Sequence, residues 1–356
     1  MRSVADRRLR RPRLLLLAAL LALVAVAAVQ FLLREQRRFT ETPLASLGEA
    51  RVVEIPRGAS FTAALAVLRG AGISEGFDWQ WQWLAHELGL AHRLRFGEYA
   101  LEPGMTPPAV LRRLASGQVV QHRLTIVEGW TFAELRAALA RHEAIRQTLE
   151  GLDDREVMAA IGAPGLPPEG WFLPETYLFP RGTTDRELLA RAHRAMRELL
   201  ERLWAERDPA LPLSDPYEAL ILASIVEKEA KLAEERRRIA GVLARRLTLG
   251  MRLQADPTVA YGLGPGFSGP LTRAHLATDH PHNTYTRSGL PPTPIALPGR
   301  AALEAALRPA ADEALYFVAR GDGSHHFSRT LEEHNRAVRR YRLGRGDETP
   351  CAEPCR

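Results

Sequence analysis

The sequence predicts an α+β protein made of a single N-terminal transmembrane helix, a small βα domain and a larger mixed α+β domain. Three observations carry this. A 20-residue apolar run, Leu14–Leu33, is flanked by arginines; short β-branched stretches are each followed by glycine and a capped helical pattern; and a nearly all-apolar helical run opens at Asp215. At 356 residues, with 46% hydrophobic and 25% charged residues, the chain has globular proportions, which argues against a disordered chain or a multi-span membrane protein. The formal charge of +6 is confined to the N-terminus, where nine arginines face only Asp6 and Glu35 within residues 1–38. The remainder carries a net −1, which gives no reason to expect a nucleic-acid-binding face.

Taken in order, residues 1–13 form a basic segment with Arg2, Arg7, Arg8, Arg10, Arg11 and Arg13. Residues 14–33 are broken only by Gln30, and at about 1.5 Å per residue they just cross a hydrocarbon core of about 30 Å. The denser arginines before the span place the N-terminus in the cytoplasm and the body outside it. A cleaved signal peptide competes, with Leu14–Val24 as its apolar region and Ala25-Val26-Ala27 as a cleavage site. Apolar residues continue past that site to Leu33, which favours a retained span. Residues 34–50 read as a polar stalk.

From Arg51, Val52–Ile55 is a strand candidate, Pro56-Arg57-Gly58 a turn, and Ser60 the cap of a helix through Leu68. A related pattern returns 71 residues later at Leu124-Thr125-Ile126, where Thr131 and Glu134 make a capping box. The functional reading of the first copy, residues 51–120, is a LysM-like carbohydrate-binding domain; the plainer one is packing. Trp79, Trp81 and Trp83 read as a start-of-helix core cluster rather than as platforms for sugar rings. Residues 121–343 show no break in composition and read as one domain. In the tail, 344–356, Cys351 and Cys355 are the chain's only cysteines, and such avoidance of thiols in the body suits an oxidising compartment.

The sharpest local feature is Asp215-Pro216-Tyr217-Glu218, a cap with proline at the first helical position. Seven of the eight residues from Ala219 to Val226 are apolar, so the helix is expected to be buried nearly all round. Glu227 and Glu229 follow. An acid held against apolar surface has its pKa raised, stays protonated and can serve as a general acid. On the residues alone the plainer reading takes precedence: both acids mark where the helix meets solvent and pairs with Lys228, Lys231 or Arg236. His325, His326, Glu333 and His334 lack recognised ligand spacing, so no metal site is expected.

Several segments together resemble the YceG-like family, the endolytic murein transglycosylases. They are Glu169-Gly170-Trp171-Phe172-Leu173-Pro174-Glu175-Thr176-Tyr177, Ala223 to Glu229, Met251 to Val259 with Tyr261-Gly262, Asn283-Thr284-Tyr285, Gly289 to Ile295, and Tyr316-Phe317-Val318 with Glu333-His334-Asn335. They stand in the family's order over about residues 51–342. Three departures occur: His280-Pro281-His282 replaces Ser-Pro-Tyr, Arg245 stands where Asn usually precedes Arg-Leu, and Ala255 replaces a hydroxyl residue.

The resemblance implies a single-pass inner (plasma) membrane protein with a LysM-like domain and an extracytoplasmic catalytic domain that cuts nascent peptidoglycan strands. It makes Glu227 the catalytic acid and base. By the same implication, the glycosidic bond after N-acetylmuramic acid is broken by proton donation and the muramoyl C6 hydroxyl captures the sugar cation, leaving a 1,6-anhydro end and terminating strand growth. No cofactor or metal is required. Gln254, Asp256, Asn283 and Tyr285 are candidates for holding sugar hydroxyls and N-acetyl groups, and cell-wall synthases are the expected partners. A non-catalytic, membrane-anchored glycan-binding scaffold is the alternative. A pyridoxal phosphate lyase would need a Schiff-base lysine, and only Lys228 and Lys231 exist.

Overall fold

The computed structural model describes residues 5–342, with side chains from 16 to 341. Cys351 and Cys355 lie outside the described residues. The chain divides into two units, with the break between His122 and Arg123.

Unit 1 begins with α1 (Ala5–Glu41), one continuous helix that is long and apolar enough to cross a membrane. Its described leucines are exposed, Leu16 at 70% and Leu23 at 66%. β1 (Arg51–Ile55), α2 (Phe61–Gly70), α3 (Asp78–Glu87), β2 (Gly97–Leu101) and α4 (Pro107–Ser116) follow. β1 and β2 pair antiparallel, Arg51 opposite Leu101 and Ile55 opposite Gly97. Ser60 caps α2 by accepting from the Ala63 N–H at 3.2 Å, as its position before the apolar run implies. The core gathers Val53, Ile55, Leu65, Leu68, Tyr99, Leu111 and Leu114.

Two expectations are revised in this unit. Residues 34–50, read as a stalk, carry α1 onward to Glu41 and place Phe39, Leu44 and Leu47 in the core. The tryptophan cluster splits. Trp81 is fully buried, whereas Trp79 and Trp83 are 42% and 40% exposed and stack on each other at 6.2 Å. Helical periodicity is the reason: residues 79 and 83 share a face one turn apart, and 81 points the other way.

Unit 2 opens within β3 (His122–Thr125), which pairs with β4 (Thr176–Phe179) across α5 (Phe132–Arg141) and α6 (Asp154–Ala160). The Thr131–Glu134 capping box forms at the head of α5. Then come α7 (Asp185–Ala205), α8 (Pro216–Glu229), a short 3₁₀ turn at Ala233–Glu235, α9 (Arg236–Thr248), α10 (Asp256–Gly262), α11 (Arg273–Ala277) and α12 (Arg300–Leu307). The hairpin β5 (Tyr316–Ala319) and β6 (His325–Ser328) precedes α13 (Leu331–Arg342), with Tyr316 opposite Ser328.

Each described sheet has two strands, so helices supply most of the core. α8 is its axis, packed by α7, α9 and α12. Asp215 caps it by accepting from the Glu218 N–H at 3.0 Å, and every residue from Ala219 to Val226 is buried. Burying Leu220, Ile221, Leu222, Ile225 and Val226 stabilises the unit by roughly 1.5–3 kcal/mol each. The next residue to emerge is Glu227.

Candidate active site at the end of α8

Positions 220, 224 and 227 fall on one face of α8, and a single extended segment, Pro294–Gly299, runs along that face. It is fastened at three points. Pro294 packs into the space left by Gly170, where a Cβ would come within 2.6 Å of the proline ring and which takes φ +86 against Leu220. The Ser224 hydroxyl donates to the Ile221 carbonyl at 2.7 Å and accepts from the Ile295 N–H at 3.0 Å. The Gly299 N–H donates to Glu227 Oε2 at 2.9 Å.

A second loop closes over the acid. Val127–Trp130 is a turn whose Trp130 N–H bonds the Val127 carbonyl, with Gly129 at φ +79, the left-handed position that such a turn reserves for glycine. Gly129 donates to the Leu297 carbonyl at 2.9 Å and its own carbonyl accepts from Lys228 Nζ at 3.1 Å. Arg236, at the start of α9, places Nη2 at 3.8 Å from Glu227 Oε1 and 3.9 Å from Glu128 Oε2. The Glu227 side chain is only 7% exposed. Burial raises its pKa above the usual carboxylate value; the Gly299 N–H opposes this, the Glu128 charge adds to it, and Arg236 and Lys228 oppose it. Glu229, one step round the helix, lies in the field of Arg246 instead.

The four proposed sugar-holding residues form a separate knot. Tyr285 Oη donates to Asp256 Oδ1 at 2.5 Å, and the Tyr285 N–H donates to Asn283 Oδ1 at 2.8 Å. Asn283 is 1% exposed, and its amide donates to the carbonyls of Thr278 at 2.7 Å and Leu276 at 3.1 Å, so it holds its own loop in shape. Gln254 has φ +50, uncommon outside glycine, and its N–H bonds the Thr284 carbonyl at 3.1 Å. Beneath it, Thr258 and Thr284 share a buried hydroxyl contact at 2.8 Å. The partners of Glu227 come from other segments, Glu128–Gly129, Arg236 and Gly299. Unit 2 also has a cavity of about 310 Å³ lined by Asp208, Gly241, Arg245 and Asp312, none of which touches Glu227 in these contacts.

Arg236 was legible as a partner of the acids, but two other features were not. Glu128 joins Arg236 beside Glu227, and nothing in its spacing from residue 227 signals it. Glu169 is 7% exposed, accepts from the Phe132 N–H at 3.0 Å and from Tyr261 Oη at 3.2 Å, and is pushed up to about 7 by burial. Tyr261 in turn meets the tilted ring of His282 at 4.9 Å, whose Nε2 meets Thr293 Oγ1 at 2.8 Å and whose pKa burial lowers to about 4. A carboxylate standing directly before the run Gly170-Trp171-Phe172-Leu173 was the available signal. The histidines that invited a metal reading face other partners: His325 bonds Glu235 at 2.7 Å, His334 stacks on Tyr316, and Glu333 caps α13 through the Arg329 N–H.

These elements define a mixed α+β protein whose central helix ends in one buried carboxyl of raised pKa, the equipment of general-acid chemistry. The chain belongs to the YceG-like family, whose profile matches residues 53–340. It is 30% identical over 306 residues to the endolytic murein transglycosylase of Bacillus subtilis strain 168, covering 81% of this chain and 84% of that one. The endolytic murein transglycosylase of Streptococcus pneumoniae strain D39 is 27% identical over 279 residues, 69% of this chain and 50% of the pneumococcal protein. A crystal structure of a yceG-like protein from Listeria monocytogenes superposes with a TM-score of 0.51 at 30% identity, covering 81% of this chain and 99% of the other.

Proposed function

We propose that this chain is a membrane-anchored endolytic peptidoglycan transglycosylase in which Glu227 is both acid and base. The observation that carries the proposal is the buried carboxyl at the end of α8, held by the Gly299 N–H and raised by desolvation, in a chain related to named murein transglycosylases. Protonated Glu227 gives its proton to the glycosidic oxygen as the bond to C1 of N-acetylmuramic acid breaks. The C6 hydroxyl of the same sugar attacks C1 and returns its proton to Glu227, so the acid is regenerated and no water is consumed. The products are a free 4-hydroxyl on N-acetylglucosamine and a 1,6-anhydro end. Asp256, Tyr285 and Gln254 serve as sugar contacts, and Asn283 keeps their loop in shape.

α1 anchors the chain in the inner membrane with the body on the extracytoplasmic side, where cell-wall synthases supply nascent strands and cleavage ends their growth. Unit 1 engages the glycan as a LysM-like domain. Its β–α–α–β order and an open groove of about 520 Å³ lined by Ser60, Thr62, Gln82, His86 and His92 support that reading.

One observation favours a second reading. Glu128 shares Arg236 with Glu227, and paired carboxylates across a glycosidic bond are the apparatus of a hydrolase. Mass spectrometry of digested murein separates the two, since hydrolysis leaves reducing ends two hydrogens and one oxygen heavier than anhydro ends. Glu227→Gln should lower anhydro-end release by roughly two to four orders of magnitude, the scale of general-acid catalysis, while Glu229→Gln keeps substantial activity. Near wild-type release from the Glu227 variant, or a dead Glu229 variant, overturns the assignment.

A further inference from the structure

We propose that Phe77, Trp79 and Trp83 form an interfacial anchor that rests unit 1 on the lipid surface from which α1 emerges. This rests on the reading of α1 as a membrane span.

Height along α1 places the patch. The apolar run ends at Leu33, and α1 continues without a break to Glu41. Gln36 and Phe39 therefore stand about 4.5 and 9 Å further along the helix axis. α3 is fixed to α1 at these levels: Gln36 Nε2 donates to the Gln80 carbonyl at 3.3 Å, and Phe39 meets the Trp81 ring edge-on at 5.3 Å. A bilayer's polar interfacial layer is roughly 5–7 Å deep on each side of the hydrocarbon, so the Gln80 backbone is held within it. Trp79 is the adjacent residue and Trp83 lies one turn on.

Chemistry agrees with height. Phe77 is 71% exposed, Trp79 42% and Trp83 40%, and the two indoles stack into one plate. Tryptophan favours the membrane interface, where its ring meets both chains and headgroups. Arg34, Arg37 and Arg38 are exposed on the emerging turns of α1 at the same level, complementary to anionic headgroups. Asp78, the acid within the aromatic patch, is paired with Arg69 at 3.0 Å. A lipid surface thus fits the patch in composition, charge and position.

The test uses the full chain in vesicles of phosphatidylcholine and phosphatidylglycerol carrying bromine either high or low on the acyl chains. Tryptophan quenching should be stronger with the shallow bromines, and Trp79→Phe with Trp83→Phe should remove roughly half of that shallow quenching while thermal melting stays unchanged. If the protein resists carbonate extraction but quenching is the same with and without the pair, the anchor is wrong and the span stands. Release by carbonate overturns both. Emission from the pair that responds to soluble murein fragments and not to bromolipids assigns the plate to sugars and also overturns the anchor.

Discussion

Replacing Glu169 by Gln should stabilise unit 2, and far more at neutral to alkaline pH than in acid. The carboxyl is 7% exposed and titrates at about 7 instead of 4.5 because burial disfavours its charge. A carboxyl whose pKa rises on folding binds its proton more tightly in the native state, so stability falls as pH climbs from 4.5 to 7 and levels off above. At about 1.4 kcal/mol per tenfold, ionised Glu169 costs the fold ~3 kcal/mol at pH 8 and under about 1 kcal/mol at pH 5. Gln keeps an acceptor for the Phe132 N–H and offers Tyr261 Oη the hydrogen that a protonated acid would. Calorimetry of the full chain in detergent should therefore show the variant melting roughly 6–12 °C above wild type at pH 8 and only about 2–3 °C above at pH 5. An equal difference at both pH values would mean that Glu169 titrates alike in the folded and unfolded chain, and the argument from burial would fail.

Glu128→Gln removes a like charge that raises the Glu227 pKa, so the alkaline limb of kcat/KM should move to lower pH; Arg236→Gln should move it the other way. Limbs that stay in place in both variants would exclude Glu227 as the titrating acid. Asn283→Ala strands the Thr278 and Leu276 carbonyls that its buried amide satisfies, and should lower stability by about 1–3 kcal/mol in denaturant titrations. An unchanged midpoint would show the loop to be held by other means. In unit 1, Gln82→Ala with His92→Ala should weaken binding to polymeric murein roughly tenfold while the product spectrum stays the same; unaltered affinity removes the groove from glycan binding.

What could be read from the sequence followed from local physics. The cap at Asp215 and the unbroken apolar run specified α8, and the Thr131–Glu134 spacing specified the head of α5, because both signals lie within one or two helical turns. The choice between Glu227 and Glu229 was different. It depends on a segment some 70 residues downstream that lays Gly299 against one acid and leaves the other to Arg246, and only the family resemblance pointed to it. Asn283 was legible as a polar residue among turns, but not that its amide faces inward. Trp79 and Trp83 were read with Trp81 as one core cluster at a helix start, but at 3.6 residues per turn only Trp81 faces inward and the other two share the outer face. Glu169 was visible as an acid among aromatic residues, yet its meaning required Tyr261, 92 positions away.

If α1 is the membrane span proposed above, its unbroken course from the apolar run into the core of unit 1 makes it an axle as well as a tether. With Gln36 and Phe39 engaged in packing, no loose joint separates the apolar run from the unit it carries. Each residue added just above Leu33 would turn unit 1 by about 100° and lift it by about 1.5 Å. Seven would bring it back to nearly the same bearing, roughly one-third of a bilayer core higher. Altitude and compass direction are thus geared to one another, and evolution could change the working height of this unit without spinning it only in whole-turn steps.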